Sequence, residues 1–294
     1  MTVPDLAGLL FGPFQEFAFL RRALVATFAL GVSCGPVGTL LVLRRMSLVG
    51  DAMAHALLPG AALGFVGVAG SLVAMSVGAF AAALAVAVLA GLTARFTSQR
   101  EDASFAAFYL IALAAGVLII TRRGTAVDLM HVLFGSVLAV DDGALLLVAS
   151  VSSVTLIVLA VIYRPLVVEC FDPGFLRSVG GHGSAVHLAF LVLVVLNLVG
   201  GFQALGTLMA VGMMMLPAAA ARFWTAEVWS MAAIASSVGA SCGYLGLLLS
   251  YHGNLPSGPS IVLLAGLAFM ISALLGRRGS LLARLRASQQ GAQS

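Results

Sequence analysis

Residues 46–60 read MSLVGDAMAHALLPG and open an apolar run that continues to position 68. An α-helix needs about 17–25 such residues to cross the hydrocarbon layer of a bilayer, so a run of this length reads as a membrane helix. The stretch is nevertheless not purely apolar. An aspartate and a histidine, Asp51 and His55, stand four residues apart within it.

The rest of the chain has the same character. Of its 294 residues, 61% are hydrophobic and only 9% charged, where a soluble domain carries about one quarter charged residues. Comparable runs recur near 23–43, 47–68, 71–96, 104–121, 141–163, 185–200, 205–222, 226–251 and 258–276. The expected fold is therefore an all-α polytopic membrane protein with eight or nine transmembrane helices and short interfacial helices. Nine is the direct count, and eight results if Gly200 and Gly201 bend one longer element. Residues 1–276 are expected to form the transmembrane domain. Within it, residues 1–22 are expected to be an interfacial segment, because Asp5, Glu16 and two prolines interrupt what would otherwise be a secretory leader. Residues 277–294 read as a basic, disordered cytoplasmic tail.

All fifteen basic residues are arginines and lysine is absent. That excludes a phosphate-cradling P-loop and a Schiff-base enzyme, both of which need the lysine amine. With Arg44 and Arg45 placed inside and the segments alternating, eleven arginines fall in inside loops and four (Arg21, Arg22, Arg122, Arg123) outside. This asymmetry predicts an outside N-terminus and an inside C-terminus. The net charge of +4 thus reflects topology, and no nucleic acid is expected as a partner. Cys34, Cys170 and Cys242 are scattered, so neither a disulfide framework nor a thiolate cluster is expected.

On a helix, Ser47, Asp51, His55 and Pro59 share one stripe. A carboxylate and an imidazole can then converge on one ion, and Pro59 leaves the His55 carbonyl without its usual donor. An ionised aspartate near the bilayer centre costs about 2.5–3.5 kcal/mol on insertion scales, so it needs a cavity or a partner. The competing reading is a hydrogen-bonded Asp–His pair that pins helices together. As a metal site the pair is incomplete: zinc takes four ligands and manganese six, so other groups must fill the shell.

Other candidates follow from position. His131 and His252 fall on the outer side, where an arriving ion would make first contact, or where they are ordinary loop histidines. His182 and His187 lie near the inner face. Asp172 can cap a helix beginning at Pro173, making residues 164–184 either a docking knob for a soluble partner or a plain interfacial loop. Met209, Met213, Met214 and Met215 point in different directions around a helix and read as packing. Gly60 and Gly64 form a small-xxx-small pair that permits close helix approach.

The run LRRMSLVGDAMAHALLPGAALGF at positions 43–65 resembles the signature of the permease subunits of bacterial zinc and manganese ABC importers, the ABC-3 metal permease family. Further blocks fit in order: Leu133–Ser136, Phe171–Phe175, Gly206–Arg222 and Pro256–Ser260, so that the resemblance spans roughly residues 15–276. It implies the membrane-spanning permease subunit of an ATP-driven importer of divalent transition metal ions, zinc, manganese or iron, in a bacterial cytoplasmic membrane. It further implies a homodimer around a central path, cytoplasmic ABC ATPase subunits and an extracytoplasmic metal-binding protein. Zn2+ or Mn2+ would be transported cargo, with no permanently bound cofactor. Asp51 and His55 match the family's intramembrane positions and take the role of transit ligands. Asp172, Pro173 and Phe175 match its ATPase-contacting region.

Other classes compete with this reading. A proton-coupled secondary transporter would use Asp51 and His55 as a proton relay. A permease for a chelate such as a siderophore or cobalamin would need a wider, aromatic-rich path, and the chain has two tryptophans and four tyrosines. An intramembrane metallohydrolase lacks the HExxH pair it would need.

Overall fold

A computed structural model describes residues 6–67, 72–123, 140–172 and 183–283. Among these, every regular element is a helix: α1 (Leu6–Glu16), α2 (Ala18–Leu43), α3 (Ser47–Gly67), α4 (Leu72–Phe96), α5 (Glu101–Arg123), α6 (Asp142–Phe171), α7 (Gly183–Leu205), α8 (Thr207–Ala221), α9 (Val228–Gly253) and α10 (Ser257–Leu275). Seven are long and apolar enough to cross a membrane, while α3 and α8 contribute shorter apolar stretches, Leu48–Gly64 and Thr207–Ala221.

Contacts between helix ends establish the alternation. Arg22 Nε, in the first turns of α2, lies 2.8 Å from Asp142 Oδ1 at the start of α6. Arg44, just past the other end of α2, lies 3.3 Å from Glu169 near the end of α6. The two helices are therefore parallel, as an odd number of intervening crossings requires. The break between the sixth and seventh apolar segments falls at Gly206, which has φ 91° and ψ 159°, and not at Gly200 or Gly201. A Cβ on Gly201 would meet Ala210 at 2.6 Å, so α7 and α8 fold back on each other instead of forming one bent helix.

Three boundaries differ from expectation. α2 begins at Ala18, so Arg21 and Arg22 belong to it and not to the interfacial segment; arginines near a helix end can extend their guanidinium to the interface. α1 docks on the bundle, with Phe14 stacked 5.3 Å from Tyr244 and the Tyr244 hydroxyl donating to the Leu10 carbonyl at 2.9 Å. α6 runs through Pro165 to Phe171, eight residues beyond the expected end, and so exceeds the bilayer thickness. Past position 276, Ser280 is fully buried, so the tail is anchored before it reaches residue 284.

Two devices hold the interior together. Asn197 is fully buried on α7. It accepts from Ser33 Oγ at 2.7 Å, and its amide donates to Thr155 Oγ1 and the Leu193 carbonyl, each at 2.8 Å. Ser152 donates to the Ala29 carbonyl at 3.0 Å, so α2, α6 and α7 share one saturated polar cluster in an apolar interior. The second device is backbone proximity: a Cβ on Gly60 or Gly64 would collide with the carbonyls of Gly78 or Ala74, and one on Gly78 with the carbonyl of Gly60. The small-xxx-small pair thus seats α3 directly on α4. Met209, Met213 and Met214 are fully buried packing residues, as expected.

Replacing Gly60 with valine should lower the detergent melting stability by about 1–3 kcal/mol or prevent folding, because the added carbons have no room. Gly91→Val, where a Cβ meets nothing within 4 Å, should melt close to the wild type in the same assay.

Candidate functional site

α3 sorts its residues cleanly by face. Val49, Met53, Ala56 and Leu57 are fully buried against the bundle. Asp51 is exposed on the opposite side, and Leu48 and Leu63, 66% and 54% exposed, share that open side. His55 is half-buried. The His55 Nε2 atom lies 3.7 Å from Asp51 Oδ1, a distance at which both groups can contact one small cation between them. Tyr109 of α5 stacks on the imidazole at 5.8 Å between centroids and fixes one side of its ring. Pro59 does not share the open stripe: it is buried against α5, where a Cβ on Gly116 would meet its ring at 3.0 Å.

The α2–α3 turn fixes where this helix starts. The Arg44, Arg45 and Met46 amides donate to the Leu40, Val42 and Leu41 carbonyls, and Arg45 has φ 59°. That is a Schellman closure with arginine in the left-handed position glycine usually takes. Asp51 therefore stands near the Arg44 end of the bundle, about 6 Å along the axis from the start of α3 at 1.5 Å per residue.

Among the described residues, the other candidates do not join the pair. His252 sits in the last turn of α9, edge-on to Tyr251 at 5.2 Å. Tyr251 contacts Phe17 beside the start of α2, the opposite end of the bundle from Asp51. Asp172 closes α6, its amide donating to the Val168 carbonyl at 2.8 Å. His131, His182, Pro173 and Phe175 lie outside the described residues. Among those described, no cluster of three or more His, Cys, Asp or Glu side chains is placed to hold a metal, so the described residues offer an ion two side chains and no cage.

His187 is engaged elsewhere. Its Nδ1 lies 2.6 Å from Arg44 Nη1, and its Nε2 lies 2.9 Å from Glu101 Oε1. This cluster and the Tyr109 stack escaped the sequence reading. The available signals were Glu169 and Glu101, acidic residues at the ends of apolar runs, but nothing local pairs either with a position more than 80 residues away.

Residues 16–276 match the model of the family described as "ABC 3 transport family". The manganese import system permease protein ScaB of Streptococcus parasanguinis is 35% identical over 262 residues, covering 88% of this chain and 91% of that protein. The manganese transport system membrane protein MntC of Listeria monocytogenes is 31% identical over 272 residues, covering 91% and 94%. Among solved structures, a chain of PsaBC from Streptococcus pneumoniae in complex with Fab superposes with a TM-score of 0.82 at 31% identity, over 95% of this chain and 99% of that one.

An Asp51→Cys variant, with the three native cysteines changed to alanine, should react in membrane vesicles with a hydrophilic thiosulfonate about tenfold faster than a variant that keeps Cys34 alone, because attack needs a hydrated thiolate. Cys34 is buried. Equal rates would put the open face of α3 against hydrocarbon.

Proposed function

Because the chain belongs to the ABC 3 transport family, matched over residues 16–276, we propose that it is the membrane-spanning permease subunit of an ATP-driven importer of a divalent transition metal ion. The observation that carries the reading is the Asp51–His55 pair on the open face of α3, two metal-ligating groups 3.7 Å apart in a chain otherwise built of apolar helices. The substrate we favour is Mn2+. Both named curated relatives are manganese permeases, and a carboxylate oxygen with an imidazole nitrogen, and no thiolate, suits Mn2+ or Zn2+ over softer ions.

Two ligands hold an ion loosely, which a conducting site requires: occupancy must not become trapping. We read the open face as the place where a second copy of the chain brings its own Asp51 and His55, giving four side chains across a symmetry axis, with water and carbonyls completing the shell. Helix movement that separates the two pairs would release the ion. The carboxylate supplies charge, the imidazole supplies a neutral nitrogen donor, and Tyr109 keeps the imidazole plane aimed.

The nucleotide chemistry belongs to separate cytoplasmic ATPase subunits, because this chain has no lysine for a phosphate loop. In this reading Asp172, Pro173 and Phe175 contact that ATPase, α6 projects past the bilayer to present them, and the Arg44 end of the bundle is cytoplasmic. The N-terminus is then outside, where an extracytoplasmic binding protein delivers the metal, with His131 and His252 as outer contacts. The protein is assigned to the bacterial cytoplasmic membrane.

Proteoliposomes containing the chain and its partner ATPase, with the extracytoplasmic binding protein added outside, should accumulate Mn2+ only with internal ATP and irrespective of a protonophore. Asp51→Ala and His55→Ala should each reduce accumulation to the empty-liposome background while still co-purifying with the ATPase. Uptake that follows a proton gradient without ATP would instead make the pair a proton relay.

A further inference from the structure

Arg44 is spent on more contacts than its role as a topological charge needs. Its side chain is 7% exposed, and that of Glu169 is 13% exposed. Nε donates to Cys170 Sγ at 3.2 Å, Nη1 reaches His187 Nδ1 at 2.6 Å, and the guanidinium carbon lies 5.0 Å above the Phe190 ring. Because arginine can only donate, His187 Nδ1 accepts, which leaves Nε2 to carry the proton that faces Glu101 at 2.9 Å. One guanidinium thereby binds the last turn of α6 and the first turn of α7, and through His187 the first turn of α5.

The ion pair with Glu169 is close yet misdirected. Arg44 Nη2 and Glu169 Oε2 are 3.3 Å apart, but both atoms are buried and neither has a hydrogen-bond partner. Buried ionic groups need good geometry to offset their desolvation, and removing one partner leaves an uncompensated charge. A small slide of the α6 end past α2 would align or separate this pair, so its strength depends on the relative position of the two helices. On the other side of Arg44, the Schellman closure leads into α3 within three residues, with no slack between the guanidinium and the helix that bears Asp51.

We propose that Arg44 is the positioning residue that couples the cytoplasmic ends of α5, α6 and α7 to α3, so that displacement of the α6 end shifts Asp51 and His55 relative to the partner pair. This rests on the permease reading, in which the projecting end of α6 leads to the ATPase contact. Arg44 touches no metal; it transmits position.

The test uses the chain assembled with its ATPase in proteoliposomes, with the extracytoplasmic binding protein added outside, comparing the wild type with Arg44→Gln, Glu169→Gln and the exchanged pair Arg44→Glu with Glu169→Arg. Mn2+ taken up and ATP hydrolysed are measured in the same vesicles. Each single variant should co-purify with the ATPase and hydrolyse ATP, yet move about tenfold less Mn2+ per ATP. The exchanged pair should recover at least about a third of the wild-type ratio. An unchanged ratio in Arg44→Gln, or an assembled exchanged pair as uncoupled as the single variants, overturns the proposal. So does loss of assembly in all three, which would make Arg44 a structural clamp. A wild type that takes up no Mn2+ with ATP defeats the permease reading instead, so the two failures are distinguishable.

Discussion

A carboxylate on the side of an apolar helix cannot rest against lipid without a penalty of several kcal/mol. Asp51 is exposed on one face of α3 while the opposite face is sealed into the bundle. The exposed face must therefore meet water or another protein surface, and the rest of the architecture serves to hold it there. α4 seats α3 by backbone contact at Gly60, Gly64 and Gly78, α5 backs Pro59 with Gly116, and Tyr109 fixes the imidazole.

Polar groups inside the bundle fall into two kinds. Ser33, Ser152, Thr155 and Asn197 hydrogen-bond to one another or to nearby carbonyls, as groups do when they serve packing alone. Asp51 and His55 present coordination capacity to the outside, and Arg44 and Glu169 keep buried atoms without hydrogen-bond partners.

The helices were legible in the sequence because hydrocarbon admits few alternatives, so long apolar runs report crossings directly. Their ends were less legible. The apolar run ends near residue 163, but a proline costs a helix only one hydrogen bond and some strain, and α6 continues through Pro165 to Phe171. Likewise Gly200 and Gly201 suggested the bend that Gly206 makes, because composition alone does not reveal which glycine adopts a positive φ. Asp51 and His55 were visible because helical spacing is local. Arg44 with His187, 143 positions apart, and with Cys170, 126 apart, was not, since only the completed bundle brings those ends together.

The close seating of α3 on α4 also bears on how the chain enters the membrane. The apolar core of α3, Leu48–Gly64, is short and carries an acid, whereas Val73–Ala94 of α4 spans 22 residues and holds an 18-residue window of mean hydropathy 2.3. Alone, the first is a poor substrate for partition from the translocon into lipid. Their backbones meet at Gly60, Gly64 and Gly78 and only residues 68–71 separate them in sequence, so entry as a hairpin would let the greasier arm offset the cost of the charged one. The glycines that seat α3 on α4 would then also serve its passage into lipid.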